Sequence, residues 1–146
     1  MSNQIGIEIK GVEFVLRKLK TVAKEYPEAM GAALYQEAEI IMAKSVQYCP
    51  VDTAALIMSR YIGRPKADSQ GINVVMGYGK KYAIYVHEMS GAVNWTKPGS
   101  GSKFLERAID ESRRGFVPRL ARRTNANIKA GIGMSVSGSN PETPTR

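Results

Sequence analysis

A chain of 146 residues with 43% hydrophobic composition is long enough for one domain with its own core and too short for two comfortable ones. Its single cysteine, Cys49, excludes an intramolecular disulfide and a cysteine-based zinc site and fits a reducing compartment, and its longest strongly apolar run, Ile40 to Ala43, is far short of a membrane span. The formal net charge of +8 suits anionic partners such as nucleic acid, acidic protein faces or anionic lipid without choosing among them. No secretory segment opens the sequence, so a soluble, unexported protein is expected.

In chain order, Ile5, Ile7 and Ile9 alternate with Gly6, Glu8 and Lys10, the period of a half-buried strand, and Gly11 permits a turn. From Val12 the period becomes helical: Val12, Val15, Leu16, Leu19, Val22 and Ala23 share a face. Pro27 suits the first turn of a second helix, where its missing N–H costs nothing, and Glu28 favours the positive end of the dipole. Met30, Ala33, Leu34, Ala38, Ile41, Ser45 and Tyr48 then recur at helical intervals, predicting the longest and best-buried element. Ile40, Met42 and Val46 lie partly off that stripe, which suggests a second face covered by another subunit.

Pro50 disfavours helix at Cys49, and Asp52 is a good N-cap because its carboxylate can accept the free N–H groups of the next turn. A structural corner at Pro50, Asp52 and Thr53 is therefore expected, then a short helical turn to about Met58 and an extended run from Ser59 to Arg64. Ile72, Val74, Met76 and Tyr78 alternate with Asn73, Val75 and Gly77, so two antiparallel strands joined through Arg64 to Gly71 follow. Tyr82, Tyr85, Val86 and Met89 predict one or two helical turns. Ser90 to Ser102 reads as a long surface loop, with Val93 and Trp95 able to form an edge strand, and Ser102 caps a third helix. Its stripe is Phe104, Leu105, Ala108, Ile109, Ser112, Phe116 and Leu120, and Gly115 with Pro118 should kink or interrupt it. Ile132, Met134 and Val136 alternate with small residues in an otherwise polar tail, a strand to be added to some other surface.

Catalytic patterns fail on spacing. The only histidine, His87, would need a second histidine four residues on to resemble a zinc protease, and that position is Gly91. An interface or surface role is the plainer account. Cys49 with His87 as base is a conceivable pair that nothing in the sequence brings together, and a small buried apolar residue is the commoner role of a lone cysteine. Gly99 to Lys103 lacks P-loop spacing and is followed by Phe104, so a flexible loop explains it better. Asp110 and Glu111 are adjacent and diverge on a helix. No cofactor, metal or enzymatic activity is expected. The basic run Arg113, Arg114, Arg119, Arg122, Arg123 and Lys129 has no acid within it; it is either a solvated helix face or a surface for phosphates or an acidic partner. No helix-turn-helix or zinc-finger pattern accompanies it, so sequence-specific readout is not indicated. Trp95 is either an interface anchor or closes its own loop on the core.

Three segments together resemble one family. Pro50-Val51-Asp52-Thr53-Ala54-Ala55-Leu56 with Ser59 looks like its Pro-Val-Asp-Thr-Gly-x-Leu-x-x-Ser motif, Tyr82 to Glu88 resembles its Tyr-Ala-x-Tyr-Val-Glu segment, and Lys103 to Ala108 resembles its Pro-Phe-Leu-x-Pro-Ala helix start. The family is that of tailed-phage head-to-tail joining, or tail-completion, neck proteins, and the likeness runs over roughly residues 5 to 125. The sequence departs from it at Ala54 in place of glycine, at the inserted His87, after Glu88 where no glycine-threonine pair follows, and at Lys103 and Arg107 where prolines are frequent.

The resemblance implies an α+β fold: two N-terminal helices and a C-terminal helix packed on a small, mostly antiparallel sheet, in a domain of residues 1–130 with an extended arm over 131–146. It implies a virion structural protein of the neck and tail, assembled in the host cytoplasm as a homo-oligomeric ring, six-fold favoured over twelve-fold, with no membrane. Its partners would be the portal or adaptor and the tail-tube or tail-terminator proteins, with genomic DNA passing nearby. The head-to-tail contacts of a ring are then expected at Val93, Trp95 and Lys97 and on the arm at Ile132, Met134 and Val136. The basic run would face the DNA channel or acidic neck proteins. A stand-alone basic nucleic-acid-binding protein is the alternative, and a nuclease or peptidase would need a residue cluster the sequence does not offer.

Overall fold

The computed structural model describes residues 12–50, 54–68, 71–81, 83–88, 101 and 103–138. The strand expected over Ile5 to Ile9, the corner residues Asp52 and Thr53, the loop residues Val93, Trp95 and Lys97, and the capping Ser102 lie outside them.

The fold is α+β and is organised on one helix. α1 (Val12–Glu25) leads into α2 (Pro27–Tyr48), the longest element, with Pro27 at its first position. α2 buries Ala29, Met30, Ala32 and Ala33 in near succession because α1, two later helices and two strands all pack on it. Met42, expected on a face left for another subunit, is covered by its own chain at 4% exposure, whereas Ile40 stays 37% exposed. The extra elements around α2 account for the difference: they enclose more of it than one stripe.

After buried Pro50 come α3 (Ala54–Met58) and a β ribbon. β1 (Arg60–Ile62) pairs antiparallel with β4 (Met76–Tyr78), as the alternation predicts. The connecting segment is itself structured: β2 (Lys66–Asp68) and β3 (Gly71–Asn73) form an inner antiparallel pair. Between the pairs the register slips by one, so that Gly63, Arg64 and Pro65 oppose Val74 and Val75. This is a bulge, a site where a proline without an N–H is tolerated. β5 (Ser137–Gly138) adds to β2 in parallel, giving the order β3-β2-β5. The strand in the tail is shorter and later than the Ile132 to Val136 alternation suggests, and the surface it joins belongs to the same chain.

α4 (Ala83–Glu88) is followed by α5 (Phe104–Arg113) and α6 (Phe116–Ala130), which run along α2. The predicted third helix is thus two helices. Gly115 adopts φ 71° at the break, and Pro118 falls in the first turn of α6, where it removes no helical hydrogen bond. At the far end Gly131 (φ 69°) donates to Ile128 O and Ile132 N donates to Asn127 O, the pair of bonds of a Schellman cap.

Two apolar clusters result. Leu19, Val22, Met30, Ala33, Ile72, Phe116 and Leu120 join α1, α2, α6 and the ribbon. Cys49, Leu56, Ala83 and Phe104 form the second.

Candidate functional surfaces

The second cluster is where the chain's three motif-like segments meet. Leu56 comes from the corner segment, Ala83 from the Tyr82 to Glu88 segment and Phe104 from the third helix start, and all three pack with Cys49 at the end of α2. Phe104, 1% exposed, meets Tyr78 edge-on at 5.1 Å and His87 edge-on at 4.9 Å. Such T-shaped contacts add to the burial of a phenyl ring.

His87 is not a free surface group. Its Nε2 accepts the backbone N–H of Glu106 at 3.3 Å, its Nδ1 lies 3.1 Å from Glu88 Oε1, and its carbonyl accepts Lys103 N–H at 2.7 Å. These bonds fix the tautomer, with Nδ1 donating and Nε2 accepting. Glu106 is the third residue of α5, so the imidazole caps that helix from another element. The residue at the N-cap position, Lys103, makes no side-chain cap and sits in the left-handed region at φ 59°. Its Nζ pairs with Glu88 and with Glu106. Bonds from Lys103 and His87 hold the Glu88 carboxyl below its usual range, and the bond to Glu88 raises the Lys103 ammonium.

Cys49 lies in the same cluster, fully buried, with its Sγ donating to Pro50 O at 3.7 Å. Both nitrogens of His87 are engaged elsewhere, so the Cys49–His87 pair has no free base. The Tyr78 phenol bonds Ser45 Oγ at 2.8 Å; burial pushes it up to about 12, with Cys49 adding to the rise and the Ser45 bond opposing it. At the same end of α2 the Tyr48 phenol donates to Glu111, which raises its pKa, and the Arg107 guanidinium lies 4.0 Å over the Tyr48 ring.

The basic run divides in two. Arg119 and Arg123 reach across to α2 and bond the Glu37 carboxylate at 3.2 and 3.0 Å; that side chain is 1% exposed. Arg119 also donates to the carbonyls of Ser112 and Arg114, and Arg113 pairs with Asp110 at 3.1 Å. The acids neutralising these three arginines lie outside the run: Asp110 one turn before Arg113, and Glu37 on α2, which the local sequence does not reveal. Arg114, Arg122 and Lys129 are exposed and form no ion pair among the described residues. Glu37 is the residue that sequence reasoning missed. Its signal was its position: a carboxylate inside the apolar stripe between Ala33 and Ile41 needs a buried cation.

On the arm, Met134 and Val136 are half-buried on their own chain. Met134 N donates to Glu28 O at 3.1 Å, and Val136 lies against Gly31. Ile132 remains 49% exposed. Among the described residues no His, Cys, Asp or Glu cluster is placed to hold a metal, and no helix is long and apolar enough to cross a membrane.

Comparison of the chain with protein-family models, with curated proteins and with solved structures gives no match.

Proposed function

We propose that the protein is a structural component of a tailed-phage neck, a ring subunit that joins the portal or adaptor side of the capsid to the tail and surrounds the DNA channel, with no catalytic role. One observation carries this: Leu56, Ala83 and Phe104, one from each of the three separated family-like segments, pack into a single core. A shared core for the three segments is what the neck-protein reading requires of them. The chemistry of the junction also suits a building block, because His87, Glu88 and Lys103 spend their polar atoms on one another and on the start of α5.

Electron microscopy of particles carrying the protein tests the assignment. A closed ring of density at the head-tail junction, lost with heads and tails left unjoined when the protein is removed, is the expected result. Particles that join normally without it would overturn the assignment.

The exposed cations Arg114, Arg122 and Lys129 favour a second reading, a stand-alone nucleic-acid-binding protein. A monomer or dimer would then bind DNA with affinity falling steeply as salt rises, because bound counterions are released on association. A neck subunit would instead bind free DNA weakly and depend on its protein neighbours.

A further inference from the structure

We propose that copies of this chain associate through two complementary patches: an acidic, apolar groove on one copy receives the apolar, lysine-flanked face of the β1–β4 ribbon on the next. The proposal rests on the ring assignment and names its contact.

The groove, roughly 400 Å³, lies where α1 turns into α2 and the Schellman cap closes α6. Tyr26 and Ile132 are 47% and 49% exposed there. Glu25 and Glu28 line the groove and make no ion pair among the described residues. The groove therefore joins uncovered apolar area to unneutralised negative charge.

The ribbon has the opposite character. Tyr61 pairs with Gly77, so both point to one face, and the Tyr61 ring lies over Gly77, where an added Cβ would meet its hydroxyl at 3.1 Å. Val75, two residues before Gly77, belongs to the same face by strand alternation. Tyr78, on the other face, turns inward to Ser45 and Phe104. The outward face leaves Tyr61 48% and Val75 57% exposed, and Met58, which ends α3 two residues before β1, is 76% exposed. Lys80 and Lys81, directly after β4, are exposed without ion pairs among the described residues.

These two patches account for five of the seven large exposed hydrophobic residues among the described residues. The Ser45–Tyr78 bond ties the Tyr78 end of the ribbon to the C-terminal part of α2, its Pro65 end lies against Gly31, and the groove borders the first turn of α2, so the groove and the lysine-flanked end of the ribbon are separate surfaces. Different, complementary surfaces on one subunit make a head-to-tail contact, which closes into a ring or propagates as a filament. Matched charge around an apolar centre also sets partner register.

Charge exchange in the full chain tests this by sedimentation velocity. E25K/E28K makes both patches basic, and K80E/K81E makes both acidic. Each variant alone is expected to lose the oligomer formed by the wild type, and an equimolar mixture to regain it, since every contact in an alternating assembly then pairs opposite charges. M58S/V75S, which leaves the charges in place, is expected to lose it as well, and circular dichroism checks the fold of each variant. Wild type that oligomerises while the variants assemble equally well overturns this contact and leaves the ring standing. Wild type that remains a monomer at high micromolar concentration overturns both.

Discussion

His87 Nε2 accepts the backbone N–H of Glu106 at 3.3 Å, so an imidazole at the end of α4 closes the first turn of α5. The bond joins two segments nineteen residues apart and occurs where the N-cap residue itself offers no side-chain acceptor. His87→Ala removes this cap, worth about 1 kcal/mol, and the edge contact with Phe104, worth ~1 kcal/mol more. Urea denaturation should show a loss of about 2 kcal/mol. A loss below ~0.3 kcal/mol would mean that the cap contributes nothing to the junction.

The basic residues of α6 should fall into two classes on mutation. R119A/R123A leaves the Glu37 carboxylate buried without its cations, and breaking such a pair costs about 3–5 kcal/mol. Arg122→Ala touches only an exposed side chain and should change stability by less than ~0.5 kcal/mol. Thermal and urea unfolding of the two variants distinguish structural arginines from surface ones.

The Tyr78 phenol should be the late one in an alkaline titration. It holds its proton up to about 12 when folded, against the ordinary 10.0. Between those values the unfolded chain binds fewer protons than the folded one, so stability falls as pH rises through that window, and this contribution is fully present below pH 10. Phenolate absorbance of Tyr78→Phe against wild type identifies the group. Ser45→Ala, by removing the bond that lowers it, should move its titration higher still.

The arm's seat on its own chain can be tested at Gly31. In the interior of α2, Gly→Ala ought to gain about 1 kcal/mol of helix propensity. A Cβ there would lie 2.8 Å from Val136 Cγ2 and 3.0 Å from Pro65 Cβ, so Gly31→Ala should instead destabilise, by roughly 1–3 kcal/mol. Adding Val136→Ala should recover part of that loss. Hydrogen exchange at the Met134 amide, bonded to Glu28 O, should quicken in the single variant.

Much of the frame was legible because it rests on local periodicity. The helices starting at Val12 and Pro27, the β1–β4 pairing and the interruption at Gly115 all follow from spacing and backbone chemistry. The bulge was not legible, because Gly63 to Pro65 acquire meaning only opposite Val74 and Val75. His87 read as an interface or surface residue and Glu37 drew no reading for the same physical reason: each is explained by a partner far along the chain, on α5 or α6. The basic run looked uniform because Arg119 and Arg123 meet the one acid that neutralises them, Glu37 on α2, only after folding.

The most direct test of the account is single-particle electron microscopy of the protein and of the phage particle proposed to carry it. The account predicts a closed ring of identical subunits, the same ring appearing at the head-tail junction. A small globular monomer that binds only DNA would contradict it.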